Sequence, residues 1–262
     1  MSEKRTVIYY RDERNDEFSR AQITPRKIDG SYVYLHTSPW KRFTRFFWYR
    51  IVATPLAALY TKLVFHHTVV NPKVLKDFGK RGYFLYGNHT QDIADALIPN
   101  LLYVRQPSYV IVHPNNVSMP ILGRITPSLG ALPLPDDRVA YRHFLEAIET
   151  RIGEGAKVVI YPEAHIWPYC TWIRDFPDTS FAYPIRWGVP AFCFTNTYQA
   201  RRFSKKPKIV TYIDGPFYPD TSLPERQQRR ELRDRVHACM CERAKLSTVV
   251  KIQYIKKEEE DG

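Results

Sequence analysis

Three short runs, Tyr83-Phe-Leu-Tyr86, Val158-Val-Ile-Tyr161 and Ala191-Phe-Cys-Phe194, are apolar without a break. A strand with one wet face alternates apolar and polar residues, so an unbroken run marks a strand buried on both faces, as in a parallel sheet covered by helices. Beyond residue 80 such strands, predicted over 83–86, 108–112, 158–161, 190–194 and 208–212, alternate with helical patterns over 94–104, 138–152 and 224–246 and a helix or turn over 118–130. Gly153 and Gly155 stop the second helix before the next strand, and Pro224 suits the first turn of the last one. The pattern predicts an α/β fold, a central, mostly parallel sheet flanked by helices. Twenty prolines in 262 residues argue against a helical bundle.

Ahead of that region, residues 6–10 and 31–36 are β-branched and aromatic runs on either side of the turn signal Asp29-Gly30. Residues 1–38 are therefore expected to form a hairpin-like β appendage. The main α/β domain is expected over 68–250 and a charged tail over 251–262. The first twenty residues are highly charged and hold no apolar core of the kind a secretory signal needs. Four cysteines, at 170, 193, 239 and 241, have neither zinc-site spacing nor disulfide density, so a reducing, cytoplasmic location is expected.

Residues 39–67 have a different character. Trp40-Lys-Arg-Phe-Thr-Arg-Phe-Phe-Trp-Tyr-Arg50 interleaves cations with aromatics, and 51–65 is mostly apolar with Pro55 inside. A span needs ~20 uninterrupted apolar residues, and an arginine at the bilayer centre costs roughly 2.5–3.5 kcal/mol. Arg50, Lys62 and Pro55 instead favour an amphipathic, membrane-facing helical pair, with Trp40, Phe43, Phe46, Phe47 and Trp48 in the headgroup layer and Lys41, Arg42, Arg45 and Arg50 on anionic lipid. The formal net charge of +12 fits a phosphate-bearing partner.

Chemistry concentrates at Tyr86-Gly-Asn-His-Thr-Gln-Asp-Ile-Ala-Asp95, where an apolar strand turns into an apolar helix. In an α/β sheet, ligands bind in the crevice outside the carboxyl ends of the strands. A neutral His89 is a base. If Asp92 or Asp95 accepts its Nδ1 proton, Nε2 is left free to take a proton from a hydroxyl. Asn88 and Asp92 could equally cap the helix beside an ordinary polar histidine. A second segment, Tyr161-Pro-Glu-Ala-His165, puts Glu163 and His165 at the carboxyl end of another buried strand.

Taken in order, Asn88-His89 to Asp95, Pro120 to Arg138 with Gly123 and Arg124, Tyr161-Pro162-Glu163-Ala164, and Gly188-Val189-Pro190 resemble the glycerolipid acyltransferase family, the lysophosphatidate-acyltransferase-like or PlsC-type proteins. Two departures stand out. The family has four residues between its histidine and aspartate, whereas five separate His89 from Asp95 and two separate it from Asp92. Asp95 is favoured because it leads into the apolar helix. The family's Gly-Thr-Arg is replaced by Ala164-His165-Ile166, which removes the arginine that helps to hold the acceptor's phosphate.

The resemblance implies that 68–250 is an acyltransferase domain. It implies transfer of a fatty acyl group from acyl-CoA or acyl-carrier protein to the hydroxyl of a lysophospholipid or glycerol-phosphate-like acceptor, with no further cofactor and no metal. His89 would be the base, Asp95 or Asp92 its orienting partner, and Asn88, Gly123, Arg124, Arg138, Glu163, His165 and Arg174 would border the substrates. The expected partners are membrane lipids and an anionic surface rather than nucleic acid, and the expected place is the cytoplasmic face of a membrane, peripherally bound. Two other classes fit some residues. A metal-dependent hydrolase would use His89, Asp92, Asp95, Glu163 and His165 as ligands, although no short ligand spacing occurs. A non-catalytic binder of anionic lipid or nucleic acid would use the basic surface alone, although no nucleic-acid-binding motif appears.

Overall fold

A computed structural model describes residues 6–18, 23–35, 38–120, 122–202 and 204–257, the side chains of 41 and 42 excepted. The strands are β1 (Thr6–Tyr10), β2 (Thr68–Val70), β3 (Tyr83–Gly87), β4 (Ser108–Val112), β5 (Ala131–Pro133), β6 (Lys157–Ile160), β7 (Ala191–Arg201), β8 (Ser204–Phe217) and β9 (Ile252–Lys256). The helices are α1 (Pro39–Phe46), α2 (Thr54–Phe65), α3 (Lys73–Phe78), α4 (Ala94–Leu102), α5 (Asn115–Ser118), α6 (Leu122–Ile125), α7 (Arg138–Gly153), α8 (Ala182–Trp187) and α9 (Glu225–Ala244).

Seven strands form the central sheet in the order β2-β8-β7-β3-β6-β4-β5. The pairs β7-β3, β3-β6, β6-β4 and β4-β5 are parallel, and β8 joins β7 antiparallel and carries β2. The unbroken apolar runs lie here, and every residue of β3 and β6 is buried. Each face has its own core. Phe144 and Ile148 of α7 and Leu232, Val236 and Met240 of α9 cover one side. Leu75 and Phe78 of α3, Ile98 and Leu102 of α4, and Phe65 of α2 cover the other. The fold class is the one the apolar runs predict.

The expected N-terminal hairpin is a different structure. β1 pairs in parallel with β9, from Thr6 opposite Ile252 to Tyr10 opposite Lys256. Residues 31–35 form no strand, and His36 lies outside the described residues. Asp29-Gly30 does turn, but its carboxylate holds Ser31 locally instead of starting a ladder. What draws the two distant strands together is an aromatic cluster. Trp167 packs against Tyr10 and Tyr254, each with ring centroids 4.8 Å away, and ties the inner side chains of the two strands together. The expected charged tail is thus ordered as far as residue 257, and 258–262 lie outside the described residues.

The run 39–65 is continuously helical, with a π-helical stretch over Phe47–Ala53 between α1 and α2. Pro55 has no N–H and crowds the preceding turn, and the wider turn just ahead of it absorbs that conflict. Thr54 N–H and the Thr54 hydroxyl both bond to Tyr49 O. Small residues face the protein: Ala57 and Thr61 are buried, and α2 lies against α4. The large apolar side chains face out, Trp40 at 69% and Leu63 at 64% exposure, together with Phe43, Phe46, Ile51, Leu56 and Leu59. Among the described residues no helix is long and apolar enough to cross a membrane.

Candidate functional site

At the end of β3 the chain leaves the sheet, and Asn88 covers its departure. The Asn88 side-chain amide accepts from Asn196 N–H at 2.8 Å and donates to Asn196 O at 3.0 Å, so it stands in for the next rung of the β3–β7 ladder. Gly87 before it is required by contact, because a Cβ there would sit 2.1 Å from the Phe194 ring. The turn that follows presents His89 at the carboxyl edge of the parallel strands, beside the loop that leaves β6.

Both main-chain groups of His89 are held by that loop. Its N–H donates to Glu163 Oε2 at 2.9 Å, and its carbonyl accepts from Trp167 N–H at 3.1 Å. The ring stacks on Tyr161, centroids 4.4 Å apart and planes 20° from parallel. Tyr161 in turn donates its hydroxyl to Asp95 O.

The ring's Nδ1 lies 2.9 Å from Asp95 Oδ2. The same oxygen accepts Thr90 N–H at 2.7 Å and Gln91 N–H at 2.8 Å, and Oδ1 accepts from Asn196 Nδ2 at 3.2 Å. With three other donors aimed at it, the Asp95 carboxyl has no use for a proton of its own, so the ring must be the donor. Nδ1 therefore carries a hydrogen, and Nε2 is the ring nitrogen turned away from the carboxylate. The Asp95 side chain is 1% exposed and that of His89 18%, so a dry carboxylate supports a ring that solvent partly reaches. Asp92, the other candidate partner, is exposed. The extra residue between histidine and aspartate is taken up by Thr90 and Gln91, whose N–H groups turn in to the carboxylate.

Glu163 is not an open carboxylate. Its oxygens accept Arg174 N–H at 3.0 Å, Arg174 Nη2 at 3.2 Å and the His89 N–H, and its side chain and that of Arg174 are each 1% exposed. Arg174 also bonds His165 O and Glu13 O and lies over the Trp167 ring at 4.8 Å. Its predicted place beside a substrate is thus a correction: the guanidinium is spent inside the 163–174 loop. The segment that follows β1 braces that loop from outside, with Trp167 Nε1 donating to Asp16 O and Trp172 Nε1 to Glu13. His165 is corrected too. Ala164 has a left-handed backbone, φ +64°, which sends Glu163 inward and His165 outward to Glu17, 3.0 Å away.

Gly123 is buried, and a Cβ there would lie 2.6 Å from Val117 O, so it serves a tight packing turn. Arg124 and Arg138 are exposed, and no hydrogen bond or ion pair among the described residues joins either to His89. Arg138 opens α7 directly after β5. Along the same edge, at the ends of β4 and β5, lies an open cleft of about 520 Å³ lined by Arg26, Lys27, His113 and Asp136 with Pro25, Pro114 and Leu134. The five ligand-type residues that a metal hydrolase would need do not converge, because Glu163 is held by Arg174 and His165 by Glu17. Among the described residues the donor atoms of Cys193, Asp214 and Cys239 lie within 4.8 Å of one another, and Asp214 there is paired with Arg243.

The sequence matches no protein-family model and no curated protein. The structure does match others. The 1-acyl-sn-glycerophosphate (LPA) acyltransferase PlsC from Thermotoga maritima superposes with a TM-score of 0.56 at 17% identity, over 80% of this chain and 89% of that one. This chain has the PlsC fold. At so low an identity the likeness is one of architecture, and the chemistry has to be argued from this chain's own residues.

Residues 195–198 read from the sequence as bordering the pocket, but Thr211 and His67, which with Asn196 extend the cluster behind Asp95, escaped that reading. The signal was an asparagine inside the apolar run Phe192-Cys-Phe-Thr-Asn196, where a buried amide demands partners.

Proposed function

We propose that this chain is an O-acyltransferase. It moves a fatty acyl group from acyl-CoA or acyl-carrier protein to the hydroxyl of a lysophospholipid or glycerol-phosphate-like acceptor. The observation that carries the reading is the His89–Asp95 pair, 2.9 Å apart at the carboxyl edge of a PlsC-like sheet, with no hydrogen bond to Nε2 among the described residues.

His89 Nε2 removes the acceptor's hydroxyl proton while the oxygen attacks the thioester carbonyl. The new C–O bond forms, the C–S bond breaks, and the departing sulfur takes the proton from Nε2. The carboxylate of Asp95 balances the imidazolium in between. Asn88 and Glu163 hold the histidine turn in place. Positive charge for a phosphate-bearing substrate comes from the same edge, from Arg26 and Lys27 in the cleft, Arg138 at the start of α7, and Arg124. The outward apolar side chains of 39–65 seat the enzyme peripherally on the cytoplasmic face of a membrane, where its lipid substrates lie.

The test is a transfer assay of purified protein on vesicles with a panel of lysolipids and acyl donors, wild type against His89→Ala. The expected result is transfer to at least one lysolipid and a loss of at least ~10²-fold in the variant, with the circular dichroism of wild type. Undiminished turnover in a folded His89→Ala protein would remove the histidine from the reaction.

A further inference from the structure

The hydrogen bonding does not stop at Asp95. Asn196 Nδ2 reaches Asp95 Oδ1 at 3.2 Å, Asn196 Oδ1 accepts the Thr211 hydroxyl at 2.6 Å, and Thr211 Oγ1 lies 2.8 Å from His67 Nε2. Asn196 is 2% exposed and Thr211 fully buried. The proton positions follow in sequence. A carboxylate only accepts, so Asn196 must turn its NH₂ to Asp95 and its oxygen to Thr211. The Thr211 proton then goes to Asn196. What remains for His67 is a Thr211 lone pair, so its Nε2 carries the hydrogen and donates. Burial pushes the His67 imidazole down to about 4, which leaves that ring neutral near pH 7. The Asn196 backbone, meanwhile, is clamped by Asn88, the neighbour of His89.

We propose that Asn196 is a positioning residue for the His89–Asp95 pair, its amide oriented by Thr211 and His67. The chain of donors fixes the plane of the Asp95 carboxylate, and that plane fixes the direction in which Oδ2 receives the imidazole. The consequence for transfer rests on the reading of His89 as the base. The arrangement of the ring does not. A purely structural network joining β3, β7 and β8 would alter stability alone when cut, and would leave the tautomer of His89 untouched.

Thr211→Val removes the hydroxyl at nearly constant volume, Thr211→Ser retains it, and Asn196→Ala removes the amide. Ring-¹⁵N NMR of the full chain reads the His89 tautomer, and transfer from acyl-CoA to lysophosphatidate reads its use. Wild type and Thr211→Ser are expected to hold a single tautomer with the proton on Nδ1, and Thr211→Val and Asn196→Ala a mixture. In Thr211→Val, kcat is expected to fall about tenfold with little change in KM, roughly the worth of one oriented hydrogen bond, and Thr211→Ser is expected to stay within about twofold of wild type. An unchanged single tautomer in folded Thr211→Val overturns the proposal, and this pair decides the matter even where Asn196→Ala fails to fold. A mixed tautomer in Thr211→Val, in a protein whose wild type transfers no acyl group to any lysolipid, supports the positioning and defeats the acyltransferase reading instead.

Discussion

The histidine turn and the helical run 39–65 treat their side chains in opposite ways. Around His89 the carboxylates are saturated: Asp95 takes four donors, Glu163 three, and the backbone of the turn is bonded on both sides. Along 39–65 Ala57 and Thr61 face inward with Tyr49 and Phe65, while Trp40, Phe43, Phe46, Phe47, Trp48, Ile51, Leu56, Leu59 and Leu63 are left in solvent. Large apolar side chains left exposed in this way are what the membrane seat proposed above requires. The difference separates two jobs. Changes in the turn should alter chemistry and stability, whereas changes on the helical face should alter where the protein sits.

The largest expected effect lies in the turn's supporting ion pair. Arg174→Met leaves Glu163 buried without its cation, and should cost ~3–5 kcal/mol in urea unfolding. Adding Glu163→Gln should recover part of that loss. A cost under ~1 kcal/mol would mean that the 163–174 loop is less constrained than its hydrogen bonds imply.

His67 offers a smaller effect and a pH signature. Its imidazole is lowered by burial from 6.5 to about 4, so the unfolded chain binds a proton that the folded one refuses. The stability it protects is fully present above pH 6.5 and is lost as pH falls through 4, at most about 3 kcal/mol. His67→Gln should flatten the unfolding free energy over that window. An identical acid limb in the variant would show that other groups drive it.

On the helical face the effect should be smallest in free energy and confined to binding. Leu59→Ser with Leu63→Ser should weaken vesicle binding about tenfold, ~1.4 kcal/mol, while shifting stability by no more than ~0.5 kcal/mol per site. Lost stability with unchanged vesicle binding would erase the distinction between the two regions.

Much of the sheet is legible in the sequence because strands buried on both faces cannot hide. The runs at 83–86 and 191–194 fall in central strands, as does 158–161 up to its last residue, and α7 starts where Asp137 caps it, accepting Ala140 N–H. Less legible are pairings without a local signal. β1 finds β9 across almost the whole chain because aromatic side chains cover both, and the nearby Asp29-Gly30 turn points to a hairpin that does not form. Within the site, the choice of Asp95 over Asp92 could be argued from the apolar helix that follows it. The fate of Arg174 could not, since arginine reads as surface until a buried carboxylate claims it. Nor could the outward turn of His165, which depends on one alanine in a conformation that usually goes to glycine.

The claim on which the rest depends is that Asp95 orients His89 as a base. Comparing acyl transfer to lysophosphatidate by Asp95→Asn and Asp92→Asn, each verified as folded, tests it most directly. Asp95→Asn should lose at least ~10²-fold in kcat, and Asp92→Asn should stay within a fewfold of wild type. Equal activities, or a greater loss in Asp92→Asn, would contradict the pairing.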